Sequence, residues 1–254
     1  YNVYDERVGK IRHIDTLSYD EIQINRKFYL SGKKELELLK RIRLSASDSY
    51  VRVKNGFATL FDDVFIGELP FMEYTIPVLK ASTGKWSRAF FPYDEKGSPL
   101  AYELLSESES VCRYLEDHAE RLLKGRKRSE TPDWFLYGRT QALKDVCILK
   151  YAVNTCIKGV GSIKLTEVPP GCGLYSGLYI LPDKGVTFDM LDRIIRNEEF
   201  IRYVSLLKNY KSGGYYTFNS KDLELYINYK IQLEYGKGRD NLSTGQLGLF
   251  ESAY

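Results

Sequence analysis

The apolar positions mark out helices and strands along the chain. Over Lys33–Leu44 (KKELELLKRIRL), Leu36, Leu38, Leu39 and Ile42 recur at helical spacing with charge on the other faces, which predicts an amphipathic helix broken by residues 45–49. Residues 107–124 predict the longest helix, with Val111, Leu115, His118 and Leu122 at i, i+4, i+7 and i+11 on one face and charge opposite. That spacing makes His118 a half-buried stripe residue rather than a ligand or a base. Gly125 follows as a natural C-cap, within Lys124-Gly125-Arg126-Lys127-Arg128. Thr187 is the N-cap of a helix over residues 188–196, and residues 198–207 form a second short helix.

Strand patterning is shorter and more scattered. Residues 50–54 alternate, and Asn55-Gly56 then supplies a turn. Residues 64–66, 74–79, 146–153, 177–181 and 215–218 are further strand candidates, with Pro169-Pro170-Gly171 as a loop and Ser212-Gly213-Gly214 leading into the last of them. Residues 1–30 read as an irregular connection with one short strand. The remainder after residue 218, ending GKGRDNLSTGQLGLFESAY, has turn residues and little periodicity and is expected to have little order. The whole predicts an α+β fold of short mixed or antiparallel strands with several helices and a helical subdomain toward the C-terminal end. The expected divisions are a connecting segment and helix over 1–48, a domain over 49–230 and a tail over 231–254.

Composition narrows the class only slightly. A chain of 254 residues with 43% hydrophobic and 28% charged residues can bury a core and is not of the disordered type. A net charge of +3 permits a nucleic-acid partner without demanding one. Most of the 21 tyrosines are expected in the core and on strand faces. The four cysteines show no C-x-x-C pairing and the two histidines stand far apart, so buried reduced thiols in a cytoplasmic protein are expected rather than a zinc site. No apolar run reaches the roughly 18 residues of a membrane span, and no signal peptide opens the chain, so no membrane partner is expected. The chain begins on Tyr1 rather than methionine, as a piece of something longer would.

Recognisable enzyme motifs are missing. The sequence has no phosphate loop and no G-x-S-x-G elbow, and Gly159-Val160-Gly161 is a bare G-x-G. Asp62-Asp63 and Glu107 with Glu109 read as solvated surface. The positive charge is more informative: Lys80, Lys85 and Arg88 surround Trp86 in a segment of small polar and aromatic residues, and Arg139 and Lys144 follow Trp134 and Tyr137. Lysine and arginine contact phosphates, hydroxyl and amide groups add to them, and aromatics pack on sugars or bases. A basic loop with a tryptophan anchor on an ordinary soluble protein fits the same residues.

Several segments resemble the C-terminal half of TaqI-type N6-adenine DNA methyltransferases. NGFATLFDDVFI (55–66), FFPYD (90–94), YLEDHAERLLKGR (114–126) and WFLYGRTQAL (134–143) resemble motifs of that family, and YSGLYIL (175–181) and SGGYYTF (212–218) follow in the same order, so the match covers most of residues 51–222. The resemblance implies a target-recognition domain that selects the methylation site on double-stranded DNA in a restriction–modification system. It also implies a partner domain, in cis or in trans, that binds S-adenosylmethionine and receives the flipped adenine. The family's [DNS]-P-P-[YF] catalytic motif is not matched: Val168-Pro169-Pro170-Gly171 departs from it at both ends. The chain is therefore expected to hold no cofactor and no catalytic residue. DNA contacts are expected from Thr59, Lys80, Lys85, Arg88, Arg139, Thr140, Gln141, Ser212 and Lys221.

Individual positions carry two readings each. Gly56 allows a tight turn, and Thr59 either bonds a phosphate or caps a turn. Gly138 allows close backbone approach while Arg139 and Gln141 project toward DNA, or else Arg139 holds a structural ion pair. Gly213-Gly214 is a phosphate approach or a plain strand-entry turn, and Tyr93, Trp134 and Tyr137 are packing residues. Beside a recognition domain of a methyltransferase, or of a fused methyltransferase–endonuclease, stand a separate specificity subunit, a protein-interaction module without DNA contact and a metal-dependent nuclease.

Overall fold

A computed structural model describes residues 1–7, 10–45, 48–125, 133–183 and 185–236, and shows an α+β fold. The N-terminal part holds a hairpin of β1 (Asn2–Arg7) and β2 (Lys10–Thr16), a helical turn α1 (Tyr19–Ile22), short strands β3 (Gln23–Ile24) and β4 (Lys27–Phe28), and helix α2 (Lys33–Leu44). Next come β5 (Val51–Asn55), α3 (Asp62–Phe65), a hairpin of β6 (Thr75–Lys80) and β7 (Lys85–Phe90), α4 (Tyr102–Ser106) and α5 (Glu109–Gly125). Strands β8 (Lys150–Val153), β9 (Cys156–Ile157), β10 (Leu165–Val168), β11 (Gly173–Tyr175) and β12 (Leu178–Pro182) follow. The last part is α6 (Phe188–Ile195), α7 (Glu198–Leu206), β13 (Tyr210–Lys211), β14 (Tyr215–Thr217) and α8 (Ser220–Tyr235).

Packing divides the chain into two units, each assembled from separated stretches. The first takes Tyr1–Arg52, Cys156–Ile163 and Pro182–Tyr254, and the second takes Val53–Thr155 and Lys164–Leu181. The divisions expected at 48 and 230 do not coincide with these units. The reason is visible in the first unit, where the Asn228 side chain accepts from the Tyr50 and Val51 amides (2.8 and 3.0 Å) and donates to the Val51 carbonyl, tying a late helix to an early strand.

In the first unit α2, α6 and α7 lie against one another or against α8 around Leu39, Ile42, Phe200, Tyr203 and Tyr226. Thr187 caps α6 as expected, accepting from the Met190 amide, and Asn197 caps α7 in the same way. Arg43 and Asp222 form an ion pair at 2.9 Å with side chains only 8% and 6% exposed, and Arg43 also lies over the Tyr29 ring. Residues 1–30 are more regular than an irregular connection, because β1 and β2 pair along their length. Helix α8 occupies residues expected to have little order and extends through Tyr235, past the tail expected from 231, while residues 237–254 lie outside the described part.

The second unit has a four-stranded sheet in the order β10-β8-β12-β5 and a three-stranded sheet in the order β11-β6-β7. Val111, Leu115 and Leu122 of α5 are fully buried in its core, beside Phe65 and Phe90. His118 is half-buried on the same helix and bonds the Tyr114 carbonyl, as a stripe residue would. Residues 64–66, expected as a strand, belong mostly to the helical turn α3, with only Ile66 bridging to Ala89. The cause is local: the Thr59 hydroxyl accepts from the Phe61 amide and donates to the Asp62 carboxylate, winding the chain into a turn. Asn55-Gly56 is not a hairpin turn either. The chain continues through it, and a Cβ on Gly56 would lie 2.5 Å from the Leu174 carbonyl oxygen, so close strand approach is what demands glycine. The strand expected over 146–153 begins only at Lys150, whose ammonium donates to the carbonyls of Asp145, Val146 and Ile148 and closes the preceding turn.

Cys112 is partly buried, Cys172 is buried, and Cys147 and Cys156 are exposed, so the expectation of four buried thiols fails for two of them. Among the described residues no helix is long and apolar enough to cross a membrane.

One buried polar set in the second unit yields a test. Asp145 is nearly enclosed; burial alone would raise its carboxyl, but the Lys54 ammonium at 2.6 Å and the Tyr179 hydroxyl at 2.7 Å outweigh that and hold it below 3.8. Lys54→Met is expected to destabilise the protein at pH 7 by about 2 kcal/mol, less than a fully buried pair because Lys54 partly reaches water. A depressed folded value contributes stability that is fully present above the ordinary aspartate range and is lost as pH falls through the folded value, so the gap between parent and variant should narrow in acid. Urea melts at pH 7 and pH 3 check both statements.

Candidate nucleic-acid interface

Five of the six segments that carry the family resemblance contribute to one core of the second unit, through Phe57, Phe90, Leu115, Phe135 and Tyr175, whereas SGGYYTF (212–218) lies in the first unit. The Tyr137 ring contacts Phe57, Phe65, Phe91 and Tyr93, with centroids 4.9 to 6.2 Å apart. Its hydroxyl donates to the Phe90 carbonyl (2.5 Å), and its amide donates to the Tyr93 hydroxyl (2.6 Å). Tyr114 packs on Phe71 and donates to the Val64 carbonyl, and Trp134 lies against Tyr102 and Phe135. Tyr93, Trp134 and Tyr137 thus act in packing, as the sequence suggested.

Directly after Tyr137 the chain comes to the surface. Arg139 bridges to Ala58 through backbone hydrogen bonds in both directions, and Arg139, Thr140 and Gln141 are all exposed. The Arg139 guanidinium has no ion-pair partner among the described residues, so the structural ion pair proposed for it is not formed there. Gln141 is less available than expected: its amide nitrogen donates to the Gly56 carbonyl at 3.1 Å, which leaves its oxygen for any contact. Thr59 is fully buried, and its hydroxyl is engaged by Phe61 and Asp62; it caps a turn and cannot reach a phosphate. The close approach permitted by Gly138 is taken by the Leu60 side chain, which would clash with any Cβ there.

The β6–β7 hairpin gathers the second group. Lys80 and Lys85 are paired across it, the Lys80 ammonium lies 5.8 Å from the Tyr175 ring centroid, and Trp86 is 45% exposed. Arg88 is half-buried and donates to the Thr75 hydroxyl at 3.0 Å, so it is partly held within the fold. Two further residues join this tip unforeseen. Lys164 donates to the Thr83 carbonyl (2.8 Å), and the Ser176 hydroxyl meets Ser82 (3.0 Å). Both arrive through long-range pairing, Ser176 through the parallel pairing of β11 with β6, and no local pattern could announce that.

Backbone pairing connects the two groups through one row of strands, although the side chains change face between Phe57 and Ala58 and both Phe57 and Tyr175 are buried. Lys85 pairs with Lys80, Lys80 with Tyr175, Tyr175 is beside Phe57 by a bridge, and Ala58 bridges Arg139. With neighbouring strands about 4.8 Å apart, the row runs for about 19 Å. Ser212 and Lys221 are exposed but belong to the first unit, in the turn before β14 and in the first turn of α8. Gly213 and Gly214 there have φ of 75° and 78°, which serves strand entry. Arg126, Lys127 and Arg128 lie outside the described residues.

The row offers ammonium, guanidinium and hydroxyl groups, suited to binding anions. An open groove of about 670 Å³ elsewhere in the unit is lined by Glu73, Glu107, Glu109 and Arg113, and its carboxylates oppose a phosphate. Among the described residues no three His, Cys, Asp or Glu side chains are gathered to hold a metal. No family model matches the chain, and no curated protein matches it in sequence.

Melting curves on two variants should separate surface from scaffold. Arg139→Ala is expected to stay within about 0.5 kcal/mol of the parent, as exposed substitutions do. Thr59→Val should cost about 1–3 kcal/mol, because it leaves the Phe61 amide and Asp62 carboxylate without their buried partner.

Proposed function

We propose that the chain binds double-stranded DNA as the target-recognition part of an N6-adenine DNA methyltransferase. On this reading S-adenosylmethionine and the catalytic residues belong to another domain, joined in cis or in trans. The observation that carries the reading is the paired row from Lys85 through Lys80 to Arg139, raised on the aromatic core. Its length exceeds the roughly 12 Å width of the major groove, so Lys85 and Lys80 toward one end suit phosphates while Arg139 and the Gln141 oxygen at the other suit base edges. The order of the six sequence segments supports the same reading.

Exposed apolar surface in the first unit favours a protein partner as well. Tyr1, Tyr19 and Phe28 are exposed and adjoin, with ring centroids 6.5 and 5.2 Å apart, and Ile11 and Leu30 are also exposed. Patches of this type mark protein contacts, which suits docking of a catalytic domain.

Anisotropy titration of a labelled duplex tests DNA binding. Affinity should fall with salt at a log–log slope of about −0.9 per phosphate neutralised. Arg139→Ala should weaken binding by about 1–3 kcal/mol if the contact is bidentate to a base. Binding indifferent to salt and to Arg139 would leave a protein-interaction module instead. Calorimetric titration with S-adenosylmethionine is expected to show no binding to this chain, and tight binding would overturn the assignment of the cofactor to another domain.

A further inference from the structure

The first unit contains a second basic surface unlike its other charged regions. The three-stranded sheet in the order β13-β14-β9 is built from two stretches, 156–163 and 207–219, that contain no aspartate or glutamate. The Lys158 ammonium lies 5.9 Å from the Tyr215 ring centroid, and a second lysine, Lys211, is the register partner of Tyr215 on the paired strand. On the neighbouring pair, Tyr210 and Tyr216 have ring centroids 5.3 Å apart, and Lys208 lies 6.0 Å from the Tyr210 centroid. Tyr210 and Tyr215 are 56% and 39% exposed. Lys158, Lys208 and Lys211 make no ion pair among the described residues, whereas the lysine at 230 and the arginine at 43 of the same unit are held by carboxylates.

From this arrangement we infer that the β13-β14-β9 sheet is a second DNA contact, gripping the phosphodiester backbone of the duplex. The inference rests on the proposed DNA binding and adds a site to it. Exposed lysines that make no ion pair repel one another, and a polyanion relieves that repulsion. Each ammonium held against a tyrosine ring is partly ordered before it meets a phosphate. Exposed tyrosine hydroxyls beside them supply donors to phosphate oxygens or sugar. The duplex backbone fits better than single-stranded bases, because lysines already occupy positions over the Tyr215 and Tyr210 rings, where a base would stack.

The test uses the whole chain with Lys158→Gln, Lys208→Gln and Lys211→Gln combined, beside a control carrying Lys80→Gln and Lys85→Gln. Removing three ammonium groups that each neutralise a phosphate should make the salt slope for duplex binding shallower by about 2 to 3, with the melting temperature unchanged. The effect should add to that of the control when all five substitutions are combined. A triple variant that keeps the parent slope and affinity, while the control loses both, overturns the second contact and leaves the proposed function standing. A triple variant that loses affinity for single strands but not for duplex overturns the assignment to duplex backbone. If the parent chain shows no salt-dependent duplex binding, the proposed function fails first and this contact falls with it.

Discussion

The second unit depends on the two hydrogen bonds of Tyr137. Its hydroxyl donates to the last residue of β7 and its amide donates to the hydroxyl of Tyr93, so the stretch from Phe90 to Tyr93 is fixed to the chain at Tyr137. Burial pushes its phenol well above the ordinary tyrosine range, which keeps it a neutral donor. Four rings close around it, and the next residues have no freedom left: Gly138 donates to the Thr59 carbonyl and Arg139 pairs with Ala58. The aromatic run before G-R-T-Q is therefore what holds Arg139 at a defined place on the surface. A polar group at that ring's position without the same two partners would cost the core both packing and satisfied donors.

How much of this was legible differs by element, for physical reasons. Helix α2 and the start of α6 were readable residue by residue, since each buries one apolar stripe and α6 carries a side-chain cap at Thr187. Helix α8 was not, although it has 16 residues. Its buried side includes Asp222, Asn228 and Lys230, each satisfied by a partner distant in sequence, and these polar residues dilute the apolar period. The same blindness hid the two units, because the bonds from Asn228 to Tyr50 and Val51 join positions that no local pattern relates. In the candidate site, Arg139, Lys80 and Lys85 were legible as basic residues among aromatics. The burial of Thr59, the engagement of Gln141 and the arrival of Lys164 depended on tertiary neighbours, and sequence spacing contains none of that.

The net charge of +3 conceals a sorting of cations. Arg43, Lys54, Lys150 and Lys230 are structural: each is partly or wholly enclosed and each is met by carboxylates or carbonyls. Burial draws the Lys150 ammonium down to about 8, and three backbone carbonyls accept its hydrogen bonds. An enclosed charge without such partners would destabilise the fold by several kcal/mol, so these positions are fixed by stability. Lys80, Lys85, Arg139, Lys158, Lys208 and Lys211 obey no such constraint, since they stand at strand ends and turns without ion-pair partners among the described residues.

On the proposed function, that contrast bears on how each unit would meet DNA. Contacts made by mobile lysines alone give affinity that follows salt and ignores sequence. Discrimination between base pairs needs side chains whose backbone does not move when the ligand arrives, because a bidentate contact tolerates little displacement. Arg139 meets that requirement through its two-way bond to Ala58 and the ring of Tyr137 behind it. Lys158 and Lys208 at the β13-β14-β9 sheet are ordered only by single tyrosine rings. The physics therefore divides the labour: a rigid position in the second unit suited to reading, and looser ammonium groups in the first suited to holding.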